Sequence, residues 1–74
     1  MSLGRRITSM RGFRTLTQEQ LGAMVGVSKP TVSNWENDRR TPDADSLREL
    51  CRALNCSADY LLELSEDMGE KKQR

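Results

Sequence analysis

TQEQLGAMVGVSKPTVSNWE, residues 17–36, reads as two short helices joined by a tight turn. Thr17 is placed to cap the first helix. Its hydroxyl can accept a backbone N–H one turn in, and Gln20 stands where the reciprocal partner of a capping box belongs. Glu19, in the first turn, suits the positive end of the helix dipole. Leu21, Met24 and Val25 recur at i, i+3 and i+4, which predicts one apolar stripe. Gly26 follows at once, and glycine ends helices because it takes a left-handed backbone without a Cβ clash. Val27 then turns inward, Ser28 caps the second helix, and Pro30 falls in its first turn, where a missing N–H costs little. Val32 and Trp35, three apart, face the core. Lys29, Pro30, Ser33 and Asn34 remain on the outward side.

This stretch resembles the helix-turn-helix of the lambda-repressor, Cro and Xre-type family. The pattern T-Q-x-x-L-x-x-x-V-G-V-S-x-x-T-V-S-x-W-E carries both caps, the turn glycine and the apolar anchors, and the likeness runs over residues 3–62. It implies an all-α fold, a compact five-helix lambda-repressor-like domain that places helix 3 in the major groove of DNA. One departure is Gly22. The family usually has alanine there, packed against the following helix; glycine fits that space but costs roughly 1 kcal/mol of helix propensity. The resemblance is specific for fold and for DNA binding, and says little about which DNA sequence is read.

Size and charge agree with such a module. The 74 residues make one small domain with few aromatics and a high charged fraction. No apolar run approaches a membrane span, and the N-terminus lacks a secretory core, so a cytoplasmic location is expected. Residues 1–40 hold seven Lys/Arg and three Asp/Glu, a balance of +4, whereas residues 41–74 hold five and eight, a balance of −3. One end of the molecule should therefore attract phosphates and the other should not. The two cysteines, Cys51 and Cys56, form no C-x-x-C, and there is no histidine. Metal is not expected, and both cysteines read as reduced, buried small side chains. There is no phosphate-cradling glycine loop, and a cysteine without a nearby base is not a persuasive nucleophile, so neither catalysis nor a cofactor is expected.

Around the central pair the chain divides as follows. Leu3, Ile7 and Met10 define helix 1, residues 2–13, with Arg5 and Arg6 on a solvated face. The resemblance implies that Arg11 pairs with Glu36, locking helix 1 to helix 3. Gly12 and Thr15 depart from the family pattern, which prefers glycine near position 15, and this leaves the end of helix 1 open. Leu16 is a core residue or hydrophobic staple. Asn37 and Asp38 tolerate the left-handed turn that ends a helix, and Pro42 prevents continuation. Asp43 or Asp45 caps helix 4, which buries Leu47, Leu50, Cys51 and Leu54 and ends at a left-handed Asn55. Ser57 caps helix 5, Ala58 to about Leu64. Leu61 closes the core. Leu62 and Leu64 exceed what one short helix buries, and the resemblance makes them a dimer contact. Residues 1–64 form the DNA-binding domain, and residues 65–74, SEDMGEKKQR, read as a flexible charged tail or the start of a linker.

The functional expectation is a sequence-specific regulator of transcription that binds double-stranded DNA. Lys29, Pro30, Ser33 and Asn34 are the base-reading residues: lysine can donate to guanine O6 and N7, asparagine can pair with adenine, and proline can touch a thymine methyl. Gln18, Ser28, Thr31, Asn37, Arg39 and Arg40 are the phosphate-binding residues. Two copies on a near-palindromic operator would set the reading helices ~34 Å apart, so a homodimer is expected at least on DNA. The alternative is a protein-interaction module of the same fold, such as an antitoxin-like or anti-repressor partner.

Overall fold

The computed structural model describes residues 2–71. The fold is all-α, with α1 Leu3–Phe13, α2 Gln18–Val25, α3 Lys29–Glu36, α4 Ala44–Leu54 and α5 Ala58–Leu61. Each helix starts on a hydroxyl or carboxylate that accepts a backbone N–H one turn in: Ser2, Thr17, Ser28, Asp43 and Ser57. The Thr17–Gln20 capping box is complete, with Thr17 Oγ1 accepting from Gln20 N–H at 3.0 Å and Gln20 Oε1 from Thr17 N–H at 2.8 Å.

The helix ends share one solution. A left-handed residue follows each helix: Thr15 (φ 57°), Gly26 (80°), Asp38 (59°), Asn55 (51°) and Glu63 (64°). At α1 the Leu16 N–H reaches Arg11 O and the Thr15 N–H reaches Gly12 O, both at 3.0 Å, so the last carbonyls of the helix are satisfied. The same pair of bonds recurs around Asp38, Asn55 and Glu63. Four of these five positions therefore carry a Cβ where glycine is favoured. Thr15 is exposed and β-branched, and its hydroxyl donates only to the adjacent Arg14 O, at 2.6 Å. Relief of about 1–2 kcal/mol of left-handed strain should outweigh the extra chain entropy of glycine. Thr15→Gly should thus stabilise the domain by about 0.5–1 kcal/mol, read as a higher urea midpoint at unchanged slope.

Ile7, Met10, Leu21, Val32, Trp35, Leu50, Leu54, Cys56 and Leu61 form the core, with Leu3, Leu16, Val25, Val27, Leu47 and Cys51 packed against it. Met24, expected in the apolar stripe of α2, is 54 % exposed. An eight-residue helix lodged between α3 and α4 needs only Leu21, Gly22 and Val25 on its inner face, and Met24 falls outside that arc. Gly22 meets the turn closely: a Cβ there would stand 2.6 Å from Val27 O. The alanine common in the family would therefore require the turn to sit farther out. Both cysteines are free thiols, and burial pushes Cys56 up to about 11, far from a reactive thiolate.

Three further differences from the sequence reading concern α1 and the C-terminal segment. Arg6 is buried, not on a solvated face. Its guanidinium lies 4.2 Å from the centre of the Tyr60 ring, donates to Tyr60 O at 3.3 Å and grips the Glu66 carboxylate through Nη2 at 2.8 and 3.2 Å. Helix α5 is a single turn that stops at Leu61, because the chain turns left-handed at Glu63. The segment expected as a tail lies against the domain as far as Lys71. Met68 packs on the core and its carbonyl accepts from Ser57 N–H at 2.7 Å. Glu70 pairs with Arg14 at 2.8 Å, and Asn55 exchanges two hydrogen bonds with the Lys71 backbone. None of these contacts follows a helical period, so no periodic signal announces them.

Candidate nucleic-acid interface

Helix α3 is positioned from behind. Val32 and Trp35 are buried, and so is the carboxylate of Glu36 at its last turn. Arg11 Nε donates to Glu36 Oε2 at 2.6 Å and Arg11 Nη2 to Oε1 at 3.2 Å, while Gln18 Nε2 donates to Oε1 at 3.0 Å. A third donation, from Arg11 Nη1 to Leu16 O at 2.9 Å, uses the rest of the guanidinium. One carboxylate thereby joins α1, α2 and α3. Burial disfavours its charge, but the hydrogen bonds from Arg11 and Gln18 outweigh that and hold its pKa below the ordinary 4.5.

The N-terminal end of α1 closes on the far end of α3. Asp38 Oδ1 accepts from Gly4 N–H at 3.0 Å, and Asp38 Oδ2 accepts from Ser2 Oγ at 2.6 Å. The two helices approach so closely that a Cβ on Gly4 would lie 2.5 Å from both Glu36 O and Trp35 O. Neither Gly4 nor Asp38 was singled out for this role in the sequence. Their contacts span more than thirty residues, and no local pattern predicts them.

The outward face of α3 is open. Lys29 and Pro30 are exposed, and Ser33 and Asn34 are half-buried. The side chains of Lys29 and Asn34 make no hydrogen bond among the described residues, while Ser33 accepts from Asn37 Nδ2 at its carbonyl (2.9 Å) and its Oγ (3.3 Å). Ser28 and Thr31 hydroxyls face each other at 3.0 Å, with Ser28 also capping the helix. Arg39 and Arg40 are exposed in the loop that follows, their backbone N–H groups donating to Asn34 O at 2.9 and 3.3 Å. Among the seven basic residues of the first forty, Arg6, Arg11 and Arg14 are engaged in ion pairs within the described residues. Arg5, Lys29, Arg39 and Arg40 are not, and three of these four belong to α3 and its loop. Leu62 and Leu64 lie elsewhere, on the turn after α5, 44 % and 73 % exposed. No helix among the described residues is long and apolar enough to cross a membrane.

An all-α domain whose α2 and α3 meet at a left-handed glycine, with α3 buried on one side and polar on the other, is a helix-turn-helix. The sequence pattern of the helix-turn-helix family matches residues 11–61, and the chain belongs to that family, in its lambda-repressor, Cro and Xre-type branch. It is similar to repressor protein C2 of Salmonella phage P22, with 43 % identity over 60 residues that cover 81 % of this chain and 28 % of that protein. It is also similar to the transcriptional regulator ImmR of Bacillus subtilis (strain 168), 39 % identical over 62 residues, covering 84 % of this chain and 49 % of the regulator. The chain thus spans half or less of the length of these relatives. The solved structure of the P22 c2 repressor with a synthetic operator superimposes with a TM-score of 0.84 at 40 % identity, covering 88 % of this chain and 98 % of the other.

Proposed function

We propose that this chain is the sequence-specific DNA-binding part of a transcription regulator. The observation that carries the reading is the outward face of α3, which presents Lys29, Pro30, Ser33 and Asn34 to solvent while Val32 and Trp35 hold the helix from behind. A helix of this width enters the major groove of B-form DNA, where Lys29 would donate to guanine and Asn34 would pair with adenine. Gln18, Ser28, Thr31, Asn37, Arg39 and Arg40 flank that face and would set register on the phosphates. Likeness to a repressor solved with its operator supports the same reading. Two copies, joined through Leu62 and Leu64, would read the two halves of a near-palindromic site.

Selection of bound sequences from a random duplex pool tests this reading. It should return one motif with two-fold symmetry and half-sites about one helical turn apart. An unselective pool, with no salt-dependent binding to duplex DNA, would favour an interaction module instead. The division of labour within the face has its own test. Asn34→Ala should cost about 1–3 kcal/mol and relax one operator position, whereas Arg40→Ala should weaken all sequences alike and flatten the salt slope by about 1. Identical behaviour of the two variants across a series of altered operators refutes the sorting.

A further inference from the structure

We infer that Arg5 and Ser9 of α1 complete a binding cleft for one DNA phosphodiester, together with Gln18 and Asn37. This rests on the DNA-binding reading above and deepens it. Arg5, Thr8 and Ser9 stand at i, i+3 and i+4 on α1 and share one face. They line a surface cleft whose remaining wall is Gln18, Glu36 and Asn37. The cleft therefore joins α1 to the first residue of α2 and to the end of the reading helix.

The chemistry of the cleft suits a monoanion. Arg5 is exposed and has no ion pair among the described residues. Ser9 is exposed on the same face. Gln18 uses one amide N–H on Glu36 and keeps a second. The only acid in the wall, Glu36, is already neutralised by Arg11, so it does not repel an incoming phosphate. One uncommitted cation with neutral donors around it matches the single negative charge of a phosphodiester. The position of Arg5 is itself fixed. The Gly4 N–H held by Asp38, and the close approach of Gly4 to the Glu36 carbonyl, set that turn of α1 against the end of α3.

The test measures binding of duplex DNA, selected from a random pool by the unaltered protein, over a salt series. Arg5→Gln should reduce affinity about five- to tenfold at low salt, equally for all operator variants, and lower the salt slope by about 1. Ser9→Asp, which brings a carboxylate into the cleft, should weaken binding at least as much. Arg48→Gln, on α4 and paired with Asp45, should change neither quantity. Unaltered affinity and slope for Arg5→Gln would overturn the cleft while leaving the DNA reading intact. So would a change in base preference, which would make Arg5 a reader of bases. Absence of salt-dependent binding by the unaltered protein would instead sink the underlying reading.

Discussion

Glu36→Gln should destabilise the domain by about 2–4 kcal/mol. The side chain is 5 % exposed and meets Arg11 at 2.6 Å, so its removal leaves a partly buried guanidinium without its counter-charge. A 74-residue domain has little stability to lose, and the melting temperature should fall by about 10 °C or more. The pH dependence gives a second signature. The folded carboxyl titrates below its ordinary 4.5, so the stability it contributes is fully present above about pH 4.5 and is lost as pH falls through the folded value. The gap between parent and variant, measured by urea unfolding, should therefore be widest near neutrality and narrow in acid. A gap that stays constant from pH 7 to pH 3 would show that the charge of Glu36 contributes nothing.

Gly4→Ala should cost about 2–3 kcal/mol, although alanine is the better helix former by about 1 kcal/mol. The sign follows from what the added Cβ meets. Glu36 O and Trp35 O, each 2.5 Å away, are backbone atoms at the end of α3 and cannot rotate aside. The first turn of α1 must lift, and the Gly4 N–H bond to Asp38 goes with it. Thermal unfolding decides the matter, since an unchanged or higher midpoint would mean that propensity wins. The lifted turn should also tilt α3, so operator affinity should fall in the fraction that still folds.

The helix-turn-helix was legible because its information is local. Thr17, Gln20, Gly26, Ser28 and Pro30 act within one turn of themselves, and Val32 and Trp35 follow the helical period. Asn55 was readable for the same reason at the end of α4, whereas at its start the sequence left Asp43 and Asp45 as alternatives and the fold uses Asp43. What escaped was set by distance along the chain. Arg6 looks like any arginine on a charged helix until Tyr60 and Glu66, 54 and 60 residues later, come to lie over it. Asp38 reads as a turn residue; that it also clasps Ser2 and Gly4 depends on the angle between α1 and α3. Met24 kept the helical period yet fell outside the core, since periodicity does not tell how wide a face the neighbours cover.

The segment from Glu66 to Lys71 has a mechanical consequence. Its hydrogen bonds and ion pairs reach Arg6, Arg14, Asn55 and Ser57, and among the described residues none reaches α2 or α3. Tension applied at Lys71 would load α1, α4 and α5 first. Gly4 and Arg11 of α1 hold Asp38 and Glu36, so α3 would feel such tension through α1 rather than through any direct hydrogen bond or ion pair from the segment.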